Sequence, residues 1–295
     1  MKKSIFIAIS AIIVLAVGVF LIACSPKSSS LSPNEDAMLV EPTQQSKETS
    51  AEEWETFYAA VEELNATFFP NHQCVSYSLA NDTIEDTQEL KKKIVYADID
   101  GALEGAGLGA TVGGEIAESL GATIGTIVGA VVVGAYESYK AYDLSKSEAT
   151  ITTRPLNRLT QVNDTSIGVE ISMKHNILID RLIKSNVSFE NLSYRQAINL
   201  IINRYETAFS PIDSKLKDVL LGDIDVFVPT INNNVVQANQ NFKQSSTNLS
   251  IDYLHSYTTA YLQIVNQSIP NEIDKMYMST YACQLYYSTA LWIVR

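Results

Sequence analysis

A small residue recurs at every fourth position between residues 101 and 129 of this chain. Ten of its thirteen glycines lie between residues 101 and 134. Glycine costs about 1 kcal/mol relative to alanine inside a helix, so a helix that contains this many requires another backbone to approach closely. The row therefore predicts seven helix-packing glycines, interrupted by one alanine: Gly101, Gly105, Gly109, Gly113, Ala117, Gly121, Gly125 and Gly129.

One straight helix cannot present the whole row to one straight partner. Four residues advance about 400° around a helix, so the row drifts by about 40° at each step. Breaking the helix is the simpler solution, and Gly113-Gly114, followed by Glu115 as a first-turn acid, is the natural break. The sequence thus predicts two limbs, about 98–112 and 115–142, that fold into a hairpin with their small faces together.

Two environments remain open for this hairpin. Ser119–Tyr136 contains no charged residue, and its length of about 27 Å barely spans a bilayer. The first limb carries Asp98, Asp100 and Glu104 and is a poor span by itself. The hairpin is either buried against the helices that follow it, or it makes a second membrane contact through Ser119–Tyr136.

The N-terminal segment combines a basic start with a long apolar run. Lys2 and Lys3 precede an apolar stretch over residues 5–23, and Cys24 follows where that stretch ends. This segment resembles the signal peptide and lipobox of bacterial lipoproteins, which implies cleavage before Cys24 and lipidation of that cysteine. Ser25 resembles an outer-membrane sorting signal. The alternative is a plain transmembrane anchor, since about 19 apolar residues can cross a bilayer.

The lipobox and the glycine row together resemble the glycine-zipper lipoproteins of the bacterial envelope. The resemblance covers residues 1–25 and about 98–136 and leaves the C-terminal half unplaced. It implies a protein of the bacterial cell envelope that is held at the outer membrane through lipidated Cys24. The protein partner is unknown.

The periodicity of the rest of the chain predicts an all-α fold. Apolar residues recur at spacings of three and four, and no run of alternating residues predicts a strand. The expected architecture is a helical bundle with a glycine-zipper hairpin, preceded by a signal peptide and a flexible tether. The predicted parts are a signal peptide 1–23, a disordered tether 24–50, N-terminal helices 51–97, the hairpin 98–142, a linker 143–165 and an α-helical domain 166–295.

Local signals place several of these helices. The apolar pattern predicts a helix over residues 51–68 and a second helix that begins near Thr83 and continues into the glycine row. Ser193 and Gln196 form a capping box before a further helix. Pro270 is expected in the first turn of the final helix.

Cysteine and charge restrict the remaining possibilities. Cys74 and Cys283 can form one disulfide in an oxidising compartment, and the alternative is two buried free thiols. The net charge of −12 arises within residues 1–150, which hold 21 acidic and 9 basic residues. A nucleic-acid-binding surface would be basic and clustered, so no nucleic-acid partner is predicted.

No catalytic, cofactor or metal site is predicted. His72, His175 and His255 lack the spacing of a zinc site, and His175 is expected to be a partly exposed helix residue. Gly105-x-Gly107 starts a formal dinucleotide fingerprint, but it lies within the glycine row instead of at a strand-to-helix turn. The sequence predicts a non-catalytic envelope lipoprotein with a structural or interaction role. The alternative is a membrane-inserting, toxin-like or bacteriocin-like protein that uses the hairpin.

Overall fold

The computed structural model describes residues 48–69, 82–222, 231–246 and 249–293. These residues belong to one compact unit and contain helices but no strand, which confirms the predicted all-α class. The helices are α1 Ala51–Phe68, α2 Asp82–Ser145, a short 3-10 helix Leu156–Arg158, α3 Ile167–Ser185, α4 Tyr194–Ala208, α5 Ser214–Leu220, α6 Asn233–Ser246, α7 Ile251–Ser268 and α8 Glu272–Trp292.

Side-chain caps begin several helices where the sequence places them. Ser50 caps α1 in a capping box with Glu53, and the predicted box of Ser193 and Gln196 at the start of α4 is confirmed. At α8, the Asn271 side chain accepts from two first-turn amides, so Pro270 lies just outside the helix and not in its first turn. Each cap satisfies backbone donors that the first helical turn leaves unpaired.

Helix α2 is a hairpin, but its break lies four residues after the predicted one. The backbone leaves helical geometry at Ala117 (φ −149°, ψ 42°) and Glu118 (φ 48°, ψ −131°). The prediction of a break at Gly113-Gly114 was wrong, because Gly113 lies within the helix and is needed at the contact between the limbs. Glu118 adopts a positive φ that is unfavourable for a non-glycine residue.

Helix α8 forms the centre of the fold. It packs against α2, α3, α6 and α7, and most of its length from Tyr277 to Trp292 is buried. A helix that is buried on all sides requires neighbours around its whole circumference. Helices α3, α4 and α5 also contact α2. The part of the hairpin away from its turn therefore lies inside the protein.

The predicted linker 143–165 is hydrogen-bonded to α8. Its first residues complete α2, which ends at Ser145. The Arg154 amide donates to the Leu291 carbonyl at 2.8 Å, and the Val162 amide donates to the Tyr287 hydroxyl at 3.0 Å. The segment thus connects the hairpin to α3 along the surface of the central helix.

Candidate functional site

The two limbs of α2 meet through their glycines. Three pairs face each other across the hairpin: Gly105 with Gly129, Gly109 with Gly125, and Gly113 with Gly121. A Cβ atom added to either member of a pair would overlap the backbone carbonyl of the other. Gly101 lies beyond the pairs, where an added Cβ would be 3.0 Å from the Val133 carbonyl oxygen. All seven glycines selected from the sequence therefore lie between the limbs.

The two parts of the predicted membrane segment Ser119–Tyr136 differ in how deeply they are buried. Its second part, residues 125–136, is buried within the protein. Its first part lies at the tip of the hairpin, where Leu120 is 67% exposed and Ile124 is 53% exposed. Ile116, just before the turn in the first limb, is 41% exposed, so large apolar side chains are exposed on both sides of the turn.

Only the tip of this segment is open, and among the described residues an ion pair joins the first limb near the turn to α5. The Lys215 ammonium of α5 lies 2.7 Å from the Glu115 carboxylate. Both side chains are largely exposed, so this ion pair contributes little stability. Among the described residues, one helix, Thr87–Ser145, has the length and composition to cross a membrane, and half of its most apolar stretch is buried. Core helices of soluble proteins meet the same two criteria.

A buried polar cluster lies at the base of the hairpin, which is the end of the two limbs away from the turn. Asp98 from the first limb, Ser138 from the second limb and His175 from α3 all have no exposed surface. The Trp292 indole of α8 donates to Asp98 Oδ2 at 3.2 Å, and Ser138 Oγ lies 3.3 Å from His175 Nε2. The cluster therefore connects both limbs of α2 with α3 and α8.

Asp98 is the least satisfied group in this cluster. Its Oδ1 atom has no hydrogen-bond partner among the described residues and lies 3.9 Å from His175 Nε2. Burial raises the pKa of Asp98, while its electrostatic interaction with His175 and hydrogen bonds from the Ser288, Ser138 and Trp292 side chains oppose that rise. A buried carboxylate is costly unless it is paired, so this group favours the protonated form more than an exposed aspartate does.

The cluster contains a serine, a histidine and an aspartate, but not in a nucleophilic arrangement. In a catalytic triad, the serine and the carboxylate contact opposite ring nitrogens. Here Ser138 and Asp98 both face His175 Nε2, while His175 Nδ1 lies 3.2 Å from Asn176 Oδ1. The Asn176 amide in turn donates to the Tyr287 carbonyl at 3.2 Å. This geometry is suited to holding helices together.

The sequence prediction of a partly exposed His175 was wrong, because the partners of this residue come from distant parts of the chain. The first limb of α2 does contain a sequence signal for a buried polar partner. Ile94, Asp98, Ala102 and Ala106 form a row at a spacing of four residues, and all four are fully buried. An acid within an apolar helical row predicts a buried partner.

The cysteines that the sequence singles out do not form a site within the described residues. Cys283 lies fully buried in α8 as a free thiol, and burial raises its pKa. Cys24 and Cys74 lie outside the described residues, so lipidation and the disulfide stay predictions. Within the described residues, no three His, Cys, Asp or Glu side chains form a group that could hold a metal ion.

Comparisons with protein families, with curated proteins and with solved structures found no match to this chain.

Proposed function

We propose that this chain is a lipid-anchored protein of the bacterial cell envelope, attached to the outer membrane through Cys24, with a non-catalytic structural or interaction role. The N-terminal sequence carries this proposal, because a basic start and the apolar residues 5–23 end immediately before Cys24. In the lipoproteins that this segment resembles, the cysteine at this place becomes the lipidated first residue after cleavage.

The sequence that follows Cys24 is consistent with such an anchor. Residues 24–47 separate Cys24 from the first described residue and are rich in Ser, Pro, Thr, Gln and Glu. This composition is typical of a tether, which the sequence predicts over residues 24–50.

The buried cluster supports a role without catalysis. Ser138, His175 and Asp98 are all closed off from solvent, so a substrate could reach them only if the base of the hairpin opened. The glycine faces are closed too, because each limb of α2 covers the other. What the unit presents outward is its helical surface and the tip of the hairpin.

Metabolic labelling tests the anchor. The full chain is expressed in a bacterial host that is fed a clickable palmitate analogue, and membrane fractions are compared for the wild type and Cys24→Ser. We expect Cys24→Ser to abolish labelling, while Cys74→Ser, a matched loss of another cysteine, leaves it unchanged. Equal labelling of Cys24→Ser and the wild type would show that the proposal is wrong.

A second candidate function is membrane contact through the hairpin tip. The observation that favours it is the exposure of Ile116, Leu120 and Ile124 around the turn of the hairpin. Large apolar side chains that cluster on a surface often mark contact sites. In this proposal the tip enters the lipid surface while residues 125–136 remain packed in the protein, and deeper insertion would require that packing to open.

Site-directed fluorescence distinguishes the tip from other exposed apolar positions. An environment-sensitive fluorophore is attached to Leu120→Cys or to Leu144→Cys in a Cys74→Ser background, and the full chain is placed in nanodiscs. Leu144 is 60% exposed but lies about 36 Å further along the same limb. We expect lipid-borne quenchers to act on the label at 120 and not at 144. Equal quenching at both positions would exclude tip contact.

A further inference from the structure

A groove between the C-terminal halves of α3 and α4 is lined by cations and hydroxyl groups. Its volume is about 370 Å³, and its lining residues are Arg181, Lys184, Ser185, Arg204 and Thr207. None of the five is acidic. In a chain that holds 33 acidic and 21 basic residues, a concave surface with three cations is a local reversal of the overall charge.

Two of these cations have no acid to balance them. Lys184 pairs with Asp180 at 2.7 Å, but neither Arg181 nor Arg204 forms an ion pair among the described residues. The Arg204 Nε atom is also buried without a hydrogen-bond partner there. With Asp180 counted against Lys184, the two arginines leave the groove with two positive charges that the described side chains do not neutralise.

We infer that this groove binds a phosphate-type oxyanion. A guanidinium presents a planar fork of donors that matches phosphate and carboxylate oxygens. The Ser185 and Thr207 hydroxyls already donate to the Leu182 and Asn203 carbonyls, so the donors for a ligand come from the three cations. Together these offer more N–H donors than the two oxygens of a carboxylate can accept, and a tetrahedral phosphate has additional acceptor oxygens.

The surface beside the groove indicates what else the ligand carries. Arg204 and Thr207 also line a second shallow depression of about 370 Å³ along α4, together with the amide side chains Gln196, Asn199 and Asn203. Amides donate and accept hydrogen bonds, so this depression suits the hydroxyl-bearing part of a phosphate ester. Free phosphate and the glycerophosphate headgroup of an anionic phospholipid share this chemistry. The inference does not depend on lipidation of Cys24.

The test uses the full chain in a neutral, non-ionic detergent. Inorganic phosphate is titrated at constant ionic strength against chloride, and binding is followed by calorimetry and by the rise in melting temperature that a ligand of the folded state produces. In a second arm the micelles are doped with phosphatidylglycerol or, as the neutral comparison, with phosphatidylcholine. Tighter binding of phosphatidylglycerol than of free phosphate identifies a headgroup site, and the reverse identifies a site for free phosphate.

Three substitutions locate the site. We expect Arg204→Gln to weaken phosphate binding at least tenfold and Arg181→Gln to weaken it several-fold. Arg158→Gln removes an exposed arginine from the 3-10 helix and is expected to leave binding unchanged. Arg181 is exposed, so its variant remains informative if Arg204→Gln fails to fold. The absence of phosphate binding by the wild type, or equal weakening in all three variants, would overturn the inference.

Discussion

Replacing Gly109 with alanine adds a methyl group where the two limbs of α2 are closest. The new Cβ would overlap the carbonyl of Gly125, which is backbone and cannot move aside as a side chain can. The limbs must therefore separate, and overpacking of this kind costs about 1–3 kcal/mol. Alanine also favours a helix over glycine by about 1 kcal/mol, which masks part of that cost in a single measurement.

Gly114→Ala removes this ambiguity. Gly114 lies in the same limb, but the nearest atom to an added Cβ is the Ala122 Cβ at 3.8 Å, which is an ordinary contact distance. Both substitutions gain the same helix propensity, so the difference between them isolates the contact between the limbs. We expect Gly109→Ala to be less stable than Gly114→Ala by about 1–3 kcal/mol.

Thermal and urea unfolding, followed by circular dichroism, measure this difference. For a unit of this size, 1 kcal/mol corresponds to a change of about 2–4 °C in melting temperature, so Gly109→Ala should melt about 2–12 °C below Gly114→Ala. Gly125→Ala, on the opposite limb, should behave like Gly109→Ala. If Gly109→Ala is as stable as Gly114→Ala, the glycines do not set the distance between the limbs, and the explanation of the row fails.

Three further predictions concern helix α8 and the residues that contact it. Gly168→Ala would overlap the Ser279 carbonyl of α8, so we expect urea unfolding to show a loss of about 1–3 kcal/mol; unchanged stability would contradict this close contact. Because burial raises the pKa of Asp98 in the folded state, its contribution to stability is present at low pH and is lost as pH rises through the folded pKa. The unfolding free energy of the wild type should therefore fall relative to Asp98→Asn as pH rises towards neutrality, and parallel pH curves would refute this. In protein that has been reduced beforehand, the buried Cys283 thiol should react with iodoacetamide only as fast as the protein opens, whereas rapid labelling under native conditions would contradict its burial.

Local signals in the sequence predicted the helices well. The apolar spacing over residues 51–68 and the capping box at Ser193 depend on residues within one or two turns, and α1 and α4 follow them. The all-α class follows from the same periodicity. These features need no knowledge of which helices become neighbours.

The polar cluster could not be predicted in the same way. Asp98 and Trp292 are 194 residues apart, and Ser138 and His175 are 37 residues apart. Each of these side chains has an ordinary local context, and only the packing of α2 against α3 and α8 gives it a partner. The sequence shows the acid within an apolar row, but it does not predict which residues surround that acid in the fold.

The turn of the hairpin is a different case, because the sequence does contain the information that places it. A tendency of glycine to interrupt helices favoured Gly113-Gly114. The facing pairs, however, are arranged symmetrically about residue 117: Gly105 with Gly129, Gly109 with Gly125, and Gly113 with Gly121. A residue at the centre of such an antiparallel row has no counterpart across the contact, so it alone does not need to be glycine. Ala117 is the one position in the row that is not glycine, and it lies at the turn. Where glycines serve the contact between two helices, the interruption of their row is therefore a better guide to the turn than the glycines themselves.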